Sequence, residues 1–266
     1  LAYQKPRIAF KDIPAFYDEE YIAHRKKKNW GVLTKFYNSR MGKHDRDKWE
    51  IVKKHTNLNA TSRVLDIGCG AGTFLEKVHH ETGAECLGID FKDLSQSPAF
   101  TKACFLHGTL FDQNLEPESF DLITMWHFLE HDYRPIETLA HIKRLLKPSG
   151  KLILEVPRLD SLSFRVFKER WPGLQAPQHT LLFDRKSFLS MLEKSSLQVE
   201  SYLPFGAFPA YFYFFAGTIF KQKRGAGVNF GKAIYPYFVG ELLTKPLFIF
   251  ERKLNMAMQT AVCTRH

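Results

Sequence analysis

Cysteine is scarce and scattered in this chain. Cys69, Cys86, Cys104 and Cys263 are the only four, and no two stand in C-x-x-C spacing. That excludes a dense disulfide framework and a cysteine-based zinc site, and the thiols read as reduced, in a cytoplasmic protein. No opening stretch has the charged, apolar, small-residue order of a signal peptide. Long apolar runs are missing too. A spanning helix needs about 20 uninterrupted apolar residues. Of the two most apolar stretches, 207–220 is too short, and 234–250 is broken by Pro236, Glu241, Lys245 and Pro246. Acids are nearly absent from one end, where residues 205–266 hold 2 Asp/Glu against 8 Lys/Arg. Residues 1–56 hold 7 against 14, and residues 57–204 hold 19 against 16, so the formal charge of +10 sits on both ends of the chain. Basic ends around a mildly acidic middle fit an anionic surface as partner, as they also fit plain solvated helix faces. With 266 residues, 44% of them hydrophobic, the chain suits one domain with additions.

What is present is organised around residues 63–74. Arg63 to Ile67 reads as a short buried strand, followed by Gly68, Gly70 and Gly72 at alternate positions. Thr73 then opens an amphipathic helix carrying Phe74, Leu75 and Val78 on one side. Strand, glycine turn and helix make half of a βαβ unit. The glycines let the backbone approach a ligand closely, and the helix N-terminus offers N–H groups to an anionic one. The spacing is not the G-x-G-x-x-G of dinucleotide sites, because Thr73 stands where its third glycine would fall. With Asp66 included it is D-x-G-x-G-x-G.

Further strands are expected over 85–89, closing on Asp90, then over 104–107, 120–126, 151–157, 198–202 and 256–263. Helices are expected over 45–55, 135–146 and 184–193, with a turn at 147–150. A carboxylate such as Asp90, at the end of the second strand, suits two ribose hydroxyls. Residues 158–180 form a long connection containing His179, and a long loop in a compact domain is usually functional.

The D-x-G-x-G-x-G string, Leu129-Glu130-His131, and L-K-P-x-G-x-L-x-L-x-V-P over 146–157 resemble class I S-adenosylmethionine-dependent methyltransferases. The branch they resemble is that of the ubiquinone-biosynthesis O-methyltransferases, and the likeness covers about residues 60–203. It implies an α/β fold, a doubly wound, mostly parallel sheet of seven strands with the last antiparallel. The domains it implies are an N-terminal helical lid (1–56), a methyltransferase core (57–204), an inserted hydrophobic helical cap (205–255) and a last core strand (256–266). Tyr17, Tyr21, Trp30 and Arg40 are the lid residues that could close over the cofactor. The implied cofactor is S-adenosylmethionine, held by Asp66, Gly68, Cys69, Gly70 and Gly72, with Asp90 on its ribose and Phe91 against its adenine. After the third strand the family often has an Asp or Asn for the adenine amino group; here Gly108-Thr109-Leu110 occupies that turn, so backbone near Leu110, or Asp112, has to serve. Trp126 completes the cofactor contacts.

The candidate catalytic residues are His179 and His127. His179, after the fifth strand, is placed to accept a proton from the acceptor, since imidazole titrates near neutral pH. His127-x-x-Glu130-His131 also spells an inverted zinc-peptidase signature, but it falls at a strand end rather than on a helix. In the ubiquinone-pathway relatives acids and a histidine near this signature are implicated with a divalent ion. His127 replaces the usual acid here, which weakens that carry-over, and no metal ligand is assigned from the sequence. The expected function is methyl transfer to a small, apolar or amphipathic acceptor. The alternatives are a non-catalytic cofactor-binding module, and a nucleic-acid methyltransferase, against which stands the lack of an N-P-P-Y-type motif. The candidate partners beyond the acceptor are an anionic membrane surface, which would place the protein at the inner face of a membrane, and a second copy of the chain.

Overall fold

The computed structural model describes residues 1–17, 32–219, 234–248, 250 and 253–265. Its centre is a sheet of seven strands: β1 (Arg63–Ile67), β2 (Glu85–Asp90), β3 (Cys104–His107), β4 (Phe120–Trp126), β5 (Leu146–Pro157), β6 (Leu197–Leu203) and β7 (Met258–Arg265). They lie in the order β3-β2-β1-β4-β5-β7-β6. The first five pair in parallel, and β7 runs antiparallel to both β5 and β6. This is the expected doubly wound sheet. Its central strands are buried on both faces, so they read as continuous apolar runs rather than alternating ones. In β1, Val64 enters one core layer with Phe74, Val78 and Trp126, while Leu65 and Ile67 enter the other with Ile123, Leu139 and Phe188. The strand order reverses between β1 and β4, and ligands of such sheets bind outside the carboxyl ends there.

The helices are α1 (Val32–His55), α2 (Thr73–Thr82), α3 (Pro135–Leu145), α4 (Leu162–Phe167), α5 (Arg185–Lys194), α6 (Ala210–Ile219) and α7 (Ile234–Thr244). Asp184 caps α5 by accepting the Ser187 N–H at 2.7 Å. Helix α1 is one long helix where the sequence suggests only 45–55. The expected turn at 147–150 lies inside β5: Leu146 still pairs with Phe120, Lys151 pairs with Leu122, and the residues between bulge out of register. Lys147 anchors that bulge on Asp121 at 2.7 Å.

Residues 158–180 are packed rather than loose. Trp171 is fully buried and donates its indole N–H to Ser163 Oγ at 2.9 Å. Ala2–Tyr3 pairs with Leu181–Leu182 in a short antiparallel ladder, so the N-terminal strand crosses this segment. Tyr21, Trp30 and the basic run 25–28 lie outside the described residues, as does the basic hinge 221–227. Helix α6 is buried through Tyr211, Tyr213 and Phe215, whereas Val239, Leu242 and Leu243 of α7 and the following Leu247 and Phe250 are exposed. No helix among the described residues is long and apolar enough to cross a membrane.

Candidate functional site

The turn from β1 into α2 holds Gly68, Gly70 and Gly72 at φ +75°, +54° and +75°, in the left-handed region. A Cβ on Gly68 would lie 2.7 Å from the Phe128 ring, and one on Gly72 2.6 Å from Phe100, so neither position admits a side chain. The Gly68 and Cys69 N–H groups donate to the Ile89 carbonyl at 2.8 and 3.1 Å, which seats the turn against the end of β2. There Asp90 accepts the Gly70 N–H at 3.0 Å on Oδ2 and the Lys92 N–H at 3.0 Å on Oδ1. A carboxylate has roughly four acceptor sites, and the turn occupies two of them. Burial raises the Asp90 pKa, and the two N–H bonds pull it back.

Asp66 sits beneath, accepting the Thr124 hydroxyl at 2.7 Å. Burial pushes its pKa up to about 7, against the pull of the Lys48 ammonium. A buried acid short of counter-charge suits a ligand that brings an ammonium or sulfonium, and a glycine corner beside an acid at the next strand end suits a ribosyl ligand. The donor set therefore fits S-adenosylmethionine. Because the Asp66 pKa is raised on folding, its stabilising contribution is complete below the unfolded value near 4 and is lost as pH rises to about 7. Asp66→Asn is expected to remove that slope from the unfolding free energy measured by urea titration across pH 4–8.

Phe91 borders this corner, with the Tyr17 ring edge-on at 5.0 Å. Cys69 is half-buried, and burial raises its thiol far above the usual range, so it is unreactive at neutral pH. Leu110 and Trp126 are both buried but enter opposite core layers, so the sheet separates them. The Trp126 indole N–H is buried without a hydrogen-bond partner among the described residues, and the Lys48 ammonium lies 5.4 Å from its ring centre.

The carboxyl ends of β4 and β5 carry a second constellation. His127, at φ +57°, places Nε2 3.0 Å from Glu155 Oε1 and Nδ1 3.5 Å from Glu130 Oε1. Burial opposes charge on this ring, yet the two carboxylates outweigh it and hold its pKa up to about 9. A ring protonated at neutral pH has no lone pair with which to accept a proton. Glu155 is fully buried and also accepts the Ala207 N–H at 2.6 Å and the Phe208 N–H at 3.1 Å, rooting the segment that leads into α6. His44 of α1 closes the group with Nδ1 3.2 Å from the Ala207 carbonyl, and burial lowers its pKa to about 3, so it is neutral.

His179 is buried, and its Nδ1 lies 2.7 Å from the Gly173 carbonyl oxygen. His131 Nδ1 lies 3.1 Å from the Gln178 carbonyl oxygen and 2.8 Å from the Tyr17 hydroxyl. Carbonyls only accept, so in both rings Nδ1 carries the proton and Nε2 the lone pair. Burial keeps both rings neutral, His131 down to about 3 and His179 below its ordinary value. The two rings meet edge to face at 4.6 Å. Thr180 holds them together by donating its N–H to the Glu130 carbonyl at 2.8 Å and its hydroxyl to the Asp132 carbonyl at 3.0 Å.

Among the residues the sequence reading passed over, Glu155, His44 and Thr180 matter most. Glu155 had a visible signal, a single acid inside the apolar run 152–156. The other two had none, because their partners lie 163 and 50 residues away along the chain.

A family model described as a methyltransferase domain matches residues 38–202. The chain is 30% identical over 141 residues to the ubiquinone biosynthesis O-methyltransferase of Idiomarina loihiensis, across 49% of this chain and 54% of the relative. It is 32% identical over 120 residues to the tRNA U34 carboxymethyltransferase of the same organism, across 41% of this chain and 36% of the relative. The chain thus spans about half the length of the first relative and about a third of the second. The geranyl diphosphate C-methyltransferase of Streptomyces coelicolor, solved with Mg2+, geranyl diphosphate and S-adenosyl-L-homocysteine, superposes with a TM-score of 0.62. That likeness covers 96% of this chain and 97% of the other at 10% identity, and it shows the fold alone.

Proposed function

The chain belongs to the methyltransferase-domain family, class I, and from that premise we propose that it transfers the methyl group of S-adenosylmethionine to a small acceptor of apolar or amphipathic character. The observation that carries the donor half is the Asp90 carboxylate clasping Gly70 at the turn between β1 and α2. In this reading the cofactor supplies an activated methyl on a sulfonium. The glycine corner holds its methionine part, Asp66 faces its positive charge, Asp90 takes the ribose hydroxyls and Phe91 packs on the adenine. Transfer from a sulfonium is an in-line displacement, so orientation supplies much of the acceleration. His179, neutral and with its Nε2 lone pair uncommitted among the described residues, is the acceptor-side group. His127, locked between Glu130 and Glu155, fixes the turn that carries them.

The acceptor half rests on α6 and α7. Their root is tied to Glu155 at the ligand end of the sheet, and α7 with the residues after it presents Val239, Leu242, Leu243, Leu247 and Phe250 to solvent. So many exposed apolar side chains on one element mark a contact surface. The neighbouring sequence Lys221-Gln222-Lys223-Arg224 adds basic charge, and a basic group near an anionic lipid surface contributes about 1 kcal/mol. This supports a peripherally attached enzyme whose lid (1–56) and cap (205–255) enclose a lipid-like acceptor. Sedimentation with phosphatidylglycerol vesicles tests it. The protein is expected to pellet with them at low salt, and Leu242→Glu with Leu243→Glu to leave most of it in the supernatant. Wild-type protein that stays in the supernatant, with α7 protected in a homodimer, would overturn the membrane reading.

A further inference from the structure

Residues 1–17 run as a strap over the carboxyl end of the sheet. Its ties land on the two segments that carry His131 and His179. Ala2–Tyr3 pairs with Leu181–Leu182, and the Gln4 N–H donates to the Thr180 carbonyl at 3.1 Å. The Ile8 carbonyl accepts the Tyr133 hydroxyl at 2.9 Å, and the Phe16 carbonyl accepts the Gln178 side-chain N–H at 2.7 Å. At Tyr17 the strap reaches the site itself. The Tyr17 hydroxyl lies 2.8 Å from His131 Nδ1, while its ring stands edge-on to Phe91 at 5.0 Å. We propose that Tyr17 is a positioning residue that joins the donor half of the site to the acceptor half. Its ring packs on the adenine side through Phe91, and its hydroxyl sets the His131 ring against which His179 lies.

His131 Nδ1 carries its proton because the Gln178 carbonyl, 3.1 Å away, only accepts. The phenol oxygen takes a share of that N–H and keeps its own proton for another acceptor. Two acceptors on one N–H fix the plane of the imidazole, and that plane decides where Nε2 points. His131 and His179 meet edge to face at 4.6 Å, so fixing one ring fixes the other. The strap is otherwise held by its edges. Ile13 is the one buried hydrophobic side chain in residues 1–17, whereas Tyr3, Phe10 and Phe16 are exposed. A segment with so few buried apolar contacts opens at low cost. Opening lets the cofactor exchange, and reseating brings Tyr17 back onto Phe91 and His131 together. The acceptor-side pair is therefore in order only while the donor side is covered. This inference rests on the reading above for the identity of the two halves, and two of its measurements need no methyl acceptor.

The test uses the full chain with S-adenosylhomocysteine as the probe. Tyr17→Phe keeps the ring and removes the hydroxyl, whereas Tyr17→Ala removes both. The phenylalanine variant is expected to bind the probe as wild type does and to shift the His131 ring signals in imidazole NMR spectra. It should also lower methyl transfer from labelled S-adenosylmethionine into a total lipid extract by about 10-fold at saturating cofactor, the scale of one lost hydrogen bond. The alanine variant should in addition release S-adenosylhomocysteine about 5-fold faster in stopped flow, the scale of one lost aromatic contact. A tyrosine that served the fold alone would show in the melting temperature and leave the ring signals and the release rate of the folded variants unchanged. Unshifted His131 signals or unchanged transfer in Tyr17→Phe, or wild-type release from Tyr17→Ala, would overturn the proposal. Wild-type protein that methylates nothing in any extract would refute the functional reading alone, since the ring signals and the release rate still decide this one.

Discussion

Replacing His127 with alanine is expected to lower the unfolding free energy by about 3–5 kcal/mol, the usual cost of stripping a buried ion pair of one partner. The imidazolium is the counter-charge for two fully buried carboxylates, Glu130 and Glu155. Without it both are left desolvated and charged. The loss should shrink in acid, where the orphaned carboxylates take up protons. In the wild type the sign runs the other way. The folded pKa of His127 is raised to about 9, so its stabilisation is complete below the unfolded value near 6.5 and fades as pH rises through 9. Urea unfolding of both proteins from pH 5 to pH 10 reads both effects. A variant within 1 kcal/mol of wild type at pH 7 would show that this ring carries no counter-charge.

Asp90→Ala should weaken S-adenosylmethionine binding by about 1.5–3 kcal/mol, which is roughly 10- to 150-fold in Kd. Two losses combine. The ribose hydroxyls lose a charged acceptor, and the Gly70 N–H loses the bond that holds the left-handed turn in place. Asp90→Asn keeps one acceptor oxygen in nearly the same shape and should fall between alanine and wild type. Calorimetry on folded protein distinguishes these outcomes, and an unchanged Kd for Asp90→Ala would remove Asp90 from the cofactor site.

The parallel sheet was legible because its strands are short apolar runs bounded by glycine, acid and proline, and because its helices alternate with them. The glycine corner was legible because the turn holds Gly68, Gly70 and Gly72 at positive φ, a local backbone demand that favours glycine. Two kinds of feature were not. Element ends shifted where pairing overrode local signals: Lys147-Pro148-Ser149-Gly150 reads as a turn but is absorbed as a bulge in β5, since Leu146 already pairs with Phe120. The charged network at the carboxyl ends of β4 and β5 depends on contacts between distant segments, such as Glu155 with Ala207 and Thr180 with Glu130. A histidine also looks alike in sequence whatever its state. His127 and His131 stand four residues apart, yet one is held as a cation by two acids and the other is kept neutral by burial.

The central claim is methyl transfer to an apolar or amphipathic acceptor, and methyl-labelled S-adenosylmethionine tests it most directly. The protein is incubated with labelled cofactor and, separately, with a total lipid extract, a polar metabolite extract and total RNA. The account predicts that label enters an organic-soluble product from the lipid extract, that S-adenosylhomocysteine appears in equal amount, and that Asp90→Ala lowers both by about 10-fold or more at limiting cofactor. Label confined to RNA, or tight cofactor binding with no S-adenosylhomocysteine from any extract, would contradict it.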